Sequence, residues 1–152
     1  MAGTLAGIAR HAEAQGPIET LDAVAVTVAE GVRGDHRGRV ASAKPKRRRQ
    51  VSLIERDGWA EAAAEAGTSL EWWNSRRNLL VDGLRIPREP GTRVQIGGTL
   101  VIEITDECDP CERMEALHAG LLDALSPDWR AGFLGRVIED GEIAVGDEVR
   151  VL

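Results

Sequence analysis

The chain has 152 residues, 43% apolar and 29% charged, with 25 acidic against 19 basic side chains and a net charge of −6. That length suits one domain able to bury roughly two-thirds of its unfolded surface without metals or cross-links, and the composition excludes a collagen, a coiled coil and a disordered tail. No run of ~18 apolar residues spells a membrane span, Met1–Gln15 lacks a signal-peptide pattern, and two cysteines cannot frame a disulfide scaffold, so the expected address is the cytoplasm with both thiols reduced.

Residues 1–20, rich in small side chains and broken by Gly16-Pro17, read as an N-terminal leader, leaving residues 21–152 as the folded domain. Ala23–Val28 is β-branched and reads as a strand. Gly31–Gly38 holds three glycines in eight residues and reads as a tight or functional loop. The basic run Lys44–Arg49 leads into a second strand over 47–54. Asp57 offers an N-cap to a helix that carries Trp59, Ala62, Ala63 and Ala66 and stops at Gly67. Leu79–Leu84 is a short apolar strand. Arg93–Ile96, the Gly97-Gly98 turn and Thr99–Thr105 predict a hairpin.

A second helix is expected from about Pro110 to Ala124, striped by Met114, Leu117 and Leu121. Gly132–Ile138, Ile143–Val145 and Val149–Leu152 return the chain to β. Their short links favour antiparallel pairing. The expected architecture is mainly β, an antiparallel barrel with about two flanking α-helices.

The chemistry concentrates at Glu107-Cys108-Asp109-Pro110-Cys111-Glu112, where a strong strand meets a helix. Asp109 as N-cap, Pro110 as first helical residue and Glu112 as capping-box partner would set Cys111 in the first turn. Unpaired N–H groups there stabilise a thiolate, while the surrounding carboxylates oppose it. Filler packing is the bland alternative for both thiols. A zinc site would need His36 and His118 to complete the cysteine pair, and neither has the usual spacing. Strand, Cys-x-Pro-Cys and helix is also the local layout of a thioredoxin-like dithiol, but a close hairpin stands where that fold needs a crossover. The basic residues Lys44, Lys46, Arg47, Arg48 and Arg49, and the patch Arg76-Arg77-Asn78, offer guanidinium forks to phosphate, carboxylate or sulfur oxyanions. The acidic balance argues against nucleic acid as the partner. Trp72 and Trp73 read as packing groups.

The ordered series of Gly34-Asp35, Arg49–Ile54, Arg76–Val81 with Gly83, Ile96-Gly97, Leu100–Ile104, Pro110–Met114, Gly132–Val137, Gly141–Ile143 and Gly146–Val149 resembles the MOSC domain, the C-terminal domain of molybdenum-cofactor sulfurase. The resemblance covers about residues 24–152. It implies a barrel-like fold with a hallmark cysteine, matched by Cys111, which in relatives carries sulfur as a persulfide or ligates molybdenum. Cys108 matches a second cysteine found in some members. Arg76, Arg77 and Asn78 are implied to line the pocket, and Arg49 joins them by charge as an anion contact. The implied cofactor is the molybdenum cofactor, and the implied partners are a cysteine desulfurase or a molybdenum-cofactor protein. Pyridoxal phosphate is associated with the family, but no site for it is expected in this chain. The implied activities are sulfur transfer through Cys111, or molybdenum-cofactor-dependent reduction of N-hydroxylated compounds. A thiol–disulfide module and a non-catalytic binding domain remain as alternatives.

Overall fold

Strand-forming stretches outnumber helical ones, and the computed structural model, which describes residues 2–152, closes them into a barrel. The strands are β1 (Ala2–Arg10), β2 (Glu19–Leu21), β3 (Ala23–Thr27), β4 (Gly31–Val32), β5 (Val51–Glu55), β6 (Leu79–Asp82), β7 (Arg93–Ile96), β8 (Leu100–Glu107), β9 (Phe133–Glu139), β10 (Gly141–Ala144) and β11 (Glu148–Val151). The helices are α1 (His36–Ser42), α2 (Arg56–Ala66), α3 (Glu112–Leu117) and α4 (Leu121–Leu125). None of these helices is long and apolar enough to cross a membrane. The order β11-β7-β8-β9-β5-β6-β1 closes on itself through β1–β11, and β2 extends β1 outside the ring. A small sheet, β10-β3-β4, lies alongside.

Residues 2–10, expected as part of a leader, are a barrel stave. Thr4 pairs with Asp82 on one side and Glu148 on the other, so β1 closes the ring. Its Ala and Gly content hides a strand whose burial comes from having a neighbour on each edge. The barrel is also mixed rather than wholly antiparallel, because β5 runs parallel to β6, with Leu53 opposite Leu79. The chain between them, residues 56–78, includes α2, so this is the helical crossover that parallel pairing requires. All five residues of β5 are buried, as expected of a strand covered on both faces. Leu53 and Leu79 join Leu5, Ile102, Phe133 and Val149 inside the barrel. Ile54 and Leu80 belong to an outer layer with Trp59, Ala62, Met114, Leu121 and Leu125.

The hairpin β7–β8 forms as expected, with Ile96 opposite Leu100. Helix α2 ends at Gly67 in the left-handed region (φ 76°), but Glu55 rather than Asp57 is its N-cap. Where the sequence predicts about two helices, four are present among the described residues. One, α1, lies within the glycine-dense segment and is capped by Asp35, whose Oδ2 accepts from the Gly38 N–H. The single helix expected over 110–124 is split into α3 and α4 by extended His118 and by Gly120 at φ 90°. The Glu115 carboxylate accepts from the N–H groups of Gly120 and Leu122 and so holds the entry to α4.

One buried amide joins the strands beneath the functional face. Asn78 Oδ1 accepts from the Ser52 N–H at 3.0 Å and from Ser52 Oγ at 3.2 Å. Its Nδ2 donates to the Ala9 carbonyl at 3.1 Å, while its own carbonyl accepts from the Ala9 N–H at 2.7 Å. Asn78→Ala would leave the Ser52 N–H and the Ala9 carbonyl unsatisfied in a buried place. The expected loss is about 2–4 kcal/mol of unfolding free energy, read as a lower urea midpoint with an unchanged slope.

Candidate functional site

Three connections converge over that amide. The β1–β2 loop brings His11 and Gln15, α1 brings His36 and Arg37, and the segment before β6 brings Arg76 and Arg77. With Arg49, Cys108, Cys111 and Arg113 they line an open cleft of about 510 Å³. Local bonds hold each wall. Asp35 Oδ1 accepts from the His11 N–H at 3.1 Å, tying the β1–β2 loop to α1. Gln50 is wholly buried, donates to the Val28 carbonyl and accepts from the Val137 N–H, which fixes the chain beside Arg49. Arg76 has a left-handed backbone (φ 65°) and donates to the Gly16 carbonyl at 2.8 Å. Arg77 donates to the carbonyls of Ala131 (2.7 Å) and Ser75 (3.1 Å).

The two cysteines differ sharply in exposure. Cys108 is buried, its N–H donating to the Gly132 carbonyl, whereas Cys111 is exposed. The helix begins later than the expected capping box requires. Cys111 itself is the N-cap of α3, and no side chain caps that helix. The carboxylate of Asp109 therefore serves no capping role there and lies at the cleft wall instead.

A second opening of about 570 Å³ is lined by Lys44, Arg48, Asp106, Glu107 and Pro110. Both openings share Arg37, Val40, Arg49, Asp109, Cys111 and Leu134, so Cys111 stands on their common wall.

The first cleft is rich in positive charge, with Asp109 the one carboxylate among its lining residues. Most arginines elsewhere are matched to carboxylates, among them Arg88 to Glu55, Arg136 and Arg93 to Glu103, Arg85 to Asp128, Arg56 to Asp82 and Arg130 to Glu61, while Arg39 and Arg47 bond to uncharged acceptors. Among the described residues, Arg37, Arg49, Arg76, Arg77 and Arg113 form no ion pair. Burial, followed by the neighbouring Arg49 guanidinium, pushes the Arg37 pKa below the ordinary arginine value. Burial, followed by Arg113 and Arg37, does the same to Arg76. Arginine stays charged even so. The consequence is a patch of like charge that an anion would relieve.

Of the residues singled out in the sequence, Cys111, Arg49, Arg76 and Arg77 come together in this cleft. Asn78 does not line it; its side chain is spent on Ser52 and Ala9. Arg37, Arg113 and His11 join the wall without having been singled out by sequence, and His36, weighed there only as a zinc ligand, joins it too. Their only advance signal is the Asp35 cap and the density of charge around it. The His11 ring donates from Nδ1 to the Glu13 carbonyl at 2.8 Å, and His36 Nδ1 accepts from Arg39 at 3.3 Å. His118 faces away and bonds the Ala66 carbonyl. Among the described residues no three His, Cys, Asp or Glu side chains gather to chelate an ion. Trp72 packs its ring over Gly7, and Trp59 donates to the Leu70 carbonyl, so these rings serve packing.

Residues 27–150 match the family model of the MOSC domain. No curated protein matches the chain. Among solved structures, the YUAD protein from Bacillus subtilis is similar over 99% of this chain and 96% of that one, with a TM-score of 0.81 at 18% identity. YiiM from Geobacillus stearothermophilus is similar over 98% of this chain and 73% of its own, with a TM-score of 0.68 at 14% identity. YiiM from Escherichia coli has a TM-score of 0.64 at 16% identity, over 100% of this chain and 70% of its own. At these identities the likeness is one of fold.

Glu107, in the second opening, has a pKa raised by burial and then by Asp109 and Asp106. Its ionised form is therefore disfavoured in the fold, a cost felt fully above the folded pKa and absent below the unfolded value of ~4.3. Glu107→Gln should raise the melting temperature at neutral pH, and the gain should vanish as the pH falls below about 4, as followed by thermal unfolding across a pH series.

Proposed function

The chain belongs to the MOSC domain family, and on that premise we propose that it is a sulfur-carrier or molybdenum-cofactor-binding domain acting through Cys111. The observation that carries this reading is the exposed thiol of Cys111 on the wall of a cleft whose guanidiniums have no carboxylate partners. A nucleophilic or ligating sulfur beside an anion site is what either activity needs.

The family is associated with the molybdenum cofactor, and the donor set here suits such a group. Arg37, Arg49, Arg76 and Arg77 would hold its phosphate, and the Cys111 thiolate would be the protein's soft ligand to the metal. When bound, the cofactor supplies a metal centre for two-electron oxygen-atom chemistry. The chain's own part would be to neutralise the phosphate and present one exposed sulfur ligand, Cys108 being buried in the cleft wall.

As a carrier, Cys111 acts without the metal. Its thiolate attacks the terminal sulfur of a donor persulfide, such as that of a cysteine desulfurase. A Cys111 S–S bond forms, the donor's S–S bond breaks, and the donor leaves as a thiolate. Delivery reverses the exchange onto an acceptor. Loading requires the deprotonated Cys111 thiol, and delivery returns it as the leaving thiolate.

Iodoacetamide should label Cys111 in the native protein and Cys108 only after denaturation, as read by peptide mass spectrometry. Incubation with a persulfide donor should add one sulfur atom to the wild type and to Cys108→Ser, and none to Cys111→Ser. Native thiols that both resist alkylation, or sulfur retained by Cys111→Ser, would remove the basis for the reading.

A further inference from the structure

The carrier reading leaves the charge of the cleft unexplained, because a thiolate leaving from a partner protein needs no row of guanidiniums. Arg37 and Arg49 make no hydrogen bond or ion pair through their side chains among the described residues, although Arg47 and Arg48 beside Arg49 do. Arg76 and Arg77 are anchored to carbonyls through some of their donors, which fixes those two forks and leaves their other N–H groups for a ligand. Fixed and unengaged guanidiniums thus stand on the same cleft as an exposed sulfur nucleophile.

Guanidinium forks recognise oxyanions, and positive charge crowded in one open cleft favours a small dianion over a neutral ligand. Among dianions, one class also brings something the Cys111 thiolate can take: a sulfane sulfur bonded to a sulfonyl group. We propose that the first cleft binds such a sulfane-sulfur oxyanion, with thiosulfate the simplest member, as the sulfur donor to Cys111. This rests on the carrier reading and names its donor.

The step balances without any other reagent. The Cys111 thiolate attacks the outer sulfur of thiosulfate, a new S–S bond forms at Cys111, and the bond between the outer and central sulfur breaks. The electron pair of that bond leaves on sulfite, a dianion that the same guanidiniums stabilise as charge gathers on its oxygens. The product is a Cys111 persulfide anion and sulfite, with the charge of the reactants conserved. The persulfide then faces the second opening, where Lys44, Arg48, Asp106 and Glu107 form a wall of mixed charge. A thiolate or cyanide entering there takes the terminal sulfur and returns the Cys111 thiolate, so donor and acceptor need not share one opening.

The full chain, reduced and desalted, is incubated with sodium thiosulfate or with a simple alkyl hydropersulfide, a donor without an oxyanion whose outer sulfur passes to Cys111 as the alkyl thiolate leaves. The Cys111 persulfide is read by peptide mass spectrometry, sulfite release is measured, and cyanide is added to look for thiocyanate turnover. Thiosulfate should load Cys111 with one sulfur per sulfite released. Loading should fall roughly tenfold or more in Arg37→Gln and Arg49→Gln, the loss expected for a charge-assisted bond, and should weaken as salt is raised. Loading from the hydropersulfide should change less than about twofold in the same variants, because no oxyanion contact is lost. Neither side chain bonds to the rest of the fold, so folding is not at stake, and circular dichroism checks it.

Loading from the hydropersulfide but not from thiosulfate would overturn the donor inference and leave the carrier reading standing. Equal losses with both donors would also overturn it, since the arginines would then act on the thiol rather than on an oxyanion. No persulfide from either donor would overturn the carrier reading as well.

Discussion

Asn78 sits where β1, β5 and β6 run side by side, and its amide is the junction on which the cleft is built. One side chain bonds the backbone of Ser52 and the backbone of Ala9, and thereby holds three strands at the level where their loops depart. His11 follows Ala9 by two residues, Arg49 precedes Ser52 by three, and Arg76 and Arg77 immediately precede Asn78. A shift of any one strand would move a cleft residue with it. Because the amide is buried and both of its ends are used, no water competes for these bonds.

Placing positive charge together in an acidic protein has an energetic cost, and the fold meets it with backbone rather than carboxylates. Arg76 and Arg77 rest on carbonyl oxygens, which orient a guanidinium without neutralising it. Elsewhere the chain does the opposite: the half-buried Arg88 is clasped by Glu55 through two bonds. The contrast separates arginines that hold the fold together from those kept available. An overall charge of −6 would repel small anions at long range, but within about one Debye length, ~8 Å at physiological salt, the local cluster governs.

Much of the β framework is legible because local pattern determines it. The β7–β8 hairpin declares itself through alternation and its Gly97-Gly98 turn, and α2 through its alanine face and the Gly67 stop. What pattern does not contain is pairing. The stave β1 has no alternation of type to betray it, since Gly3 and Gly7 stand where the Asp82 carbonyl and the Trp72 ring approach closely. The parallel β5–β6 pair depends on a crossover that short-link reasoning does not see. Helix α1 is hidden by three glycines, although Asp35 is there to cap it. At the site, charge and the family resemblance point to Cys111, Arg49, Arg76 and Arg77, whereas Arg37, Arg113 and the two histidines join them only by convergence of distant loops. Asn78 falls at the right spot but serves a different task, because residue type alone does not say whether an amide faces a ligand or a backbone.

The division between α3 and α4 gives the exposed cysteine an unusual mount. A six-residue helix has too few internal bonds to stand alone, and here Met114 is its one buried residue. Glu115 stiffens the turn into α4, by gripping the N–H groups of Gly120 and Leu122, and leaves the N-terminal end of α3 without such a brace. The segment bearing Cys111 is therefore a short span between two anchors, Cys108 bonded to the Gly132 carbonyl on one side and buried Met114 on the other. A span of that kind sets one sulfur atom on the partition between two openings, at a place that no strand of the barrel has to supply.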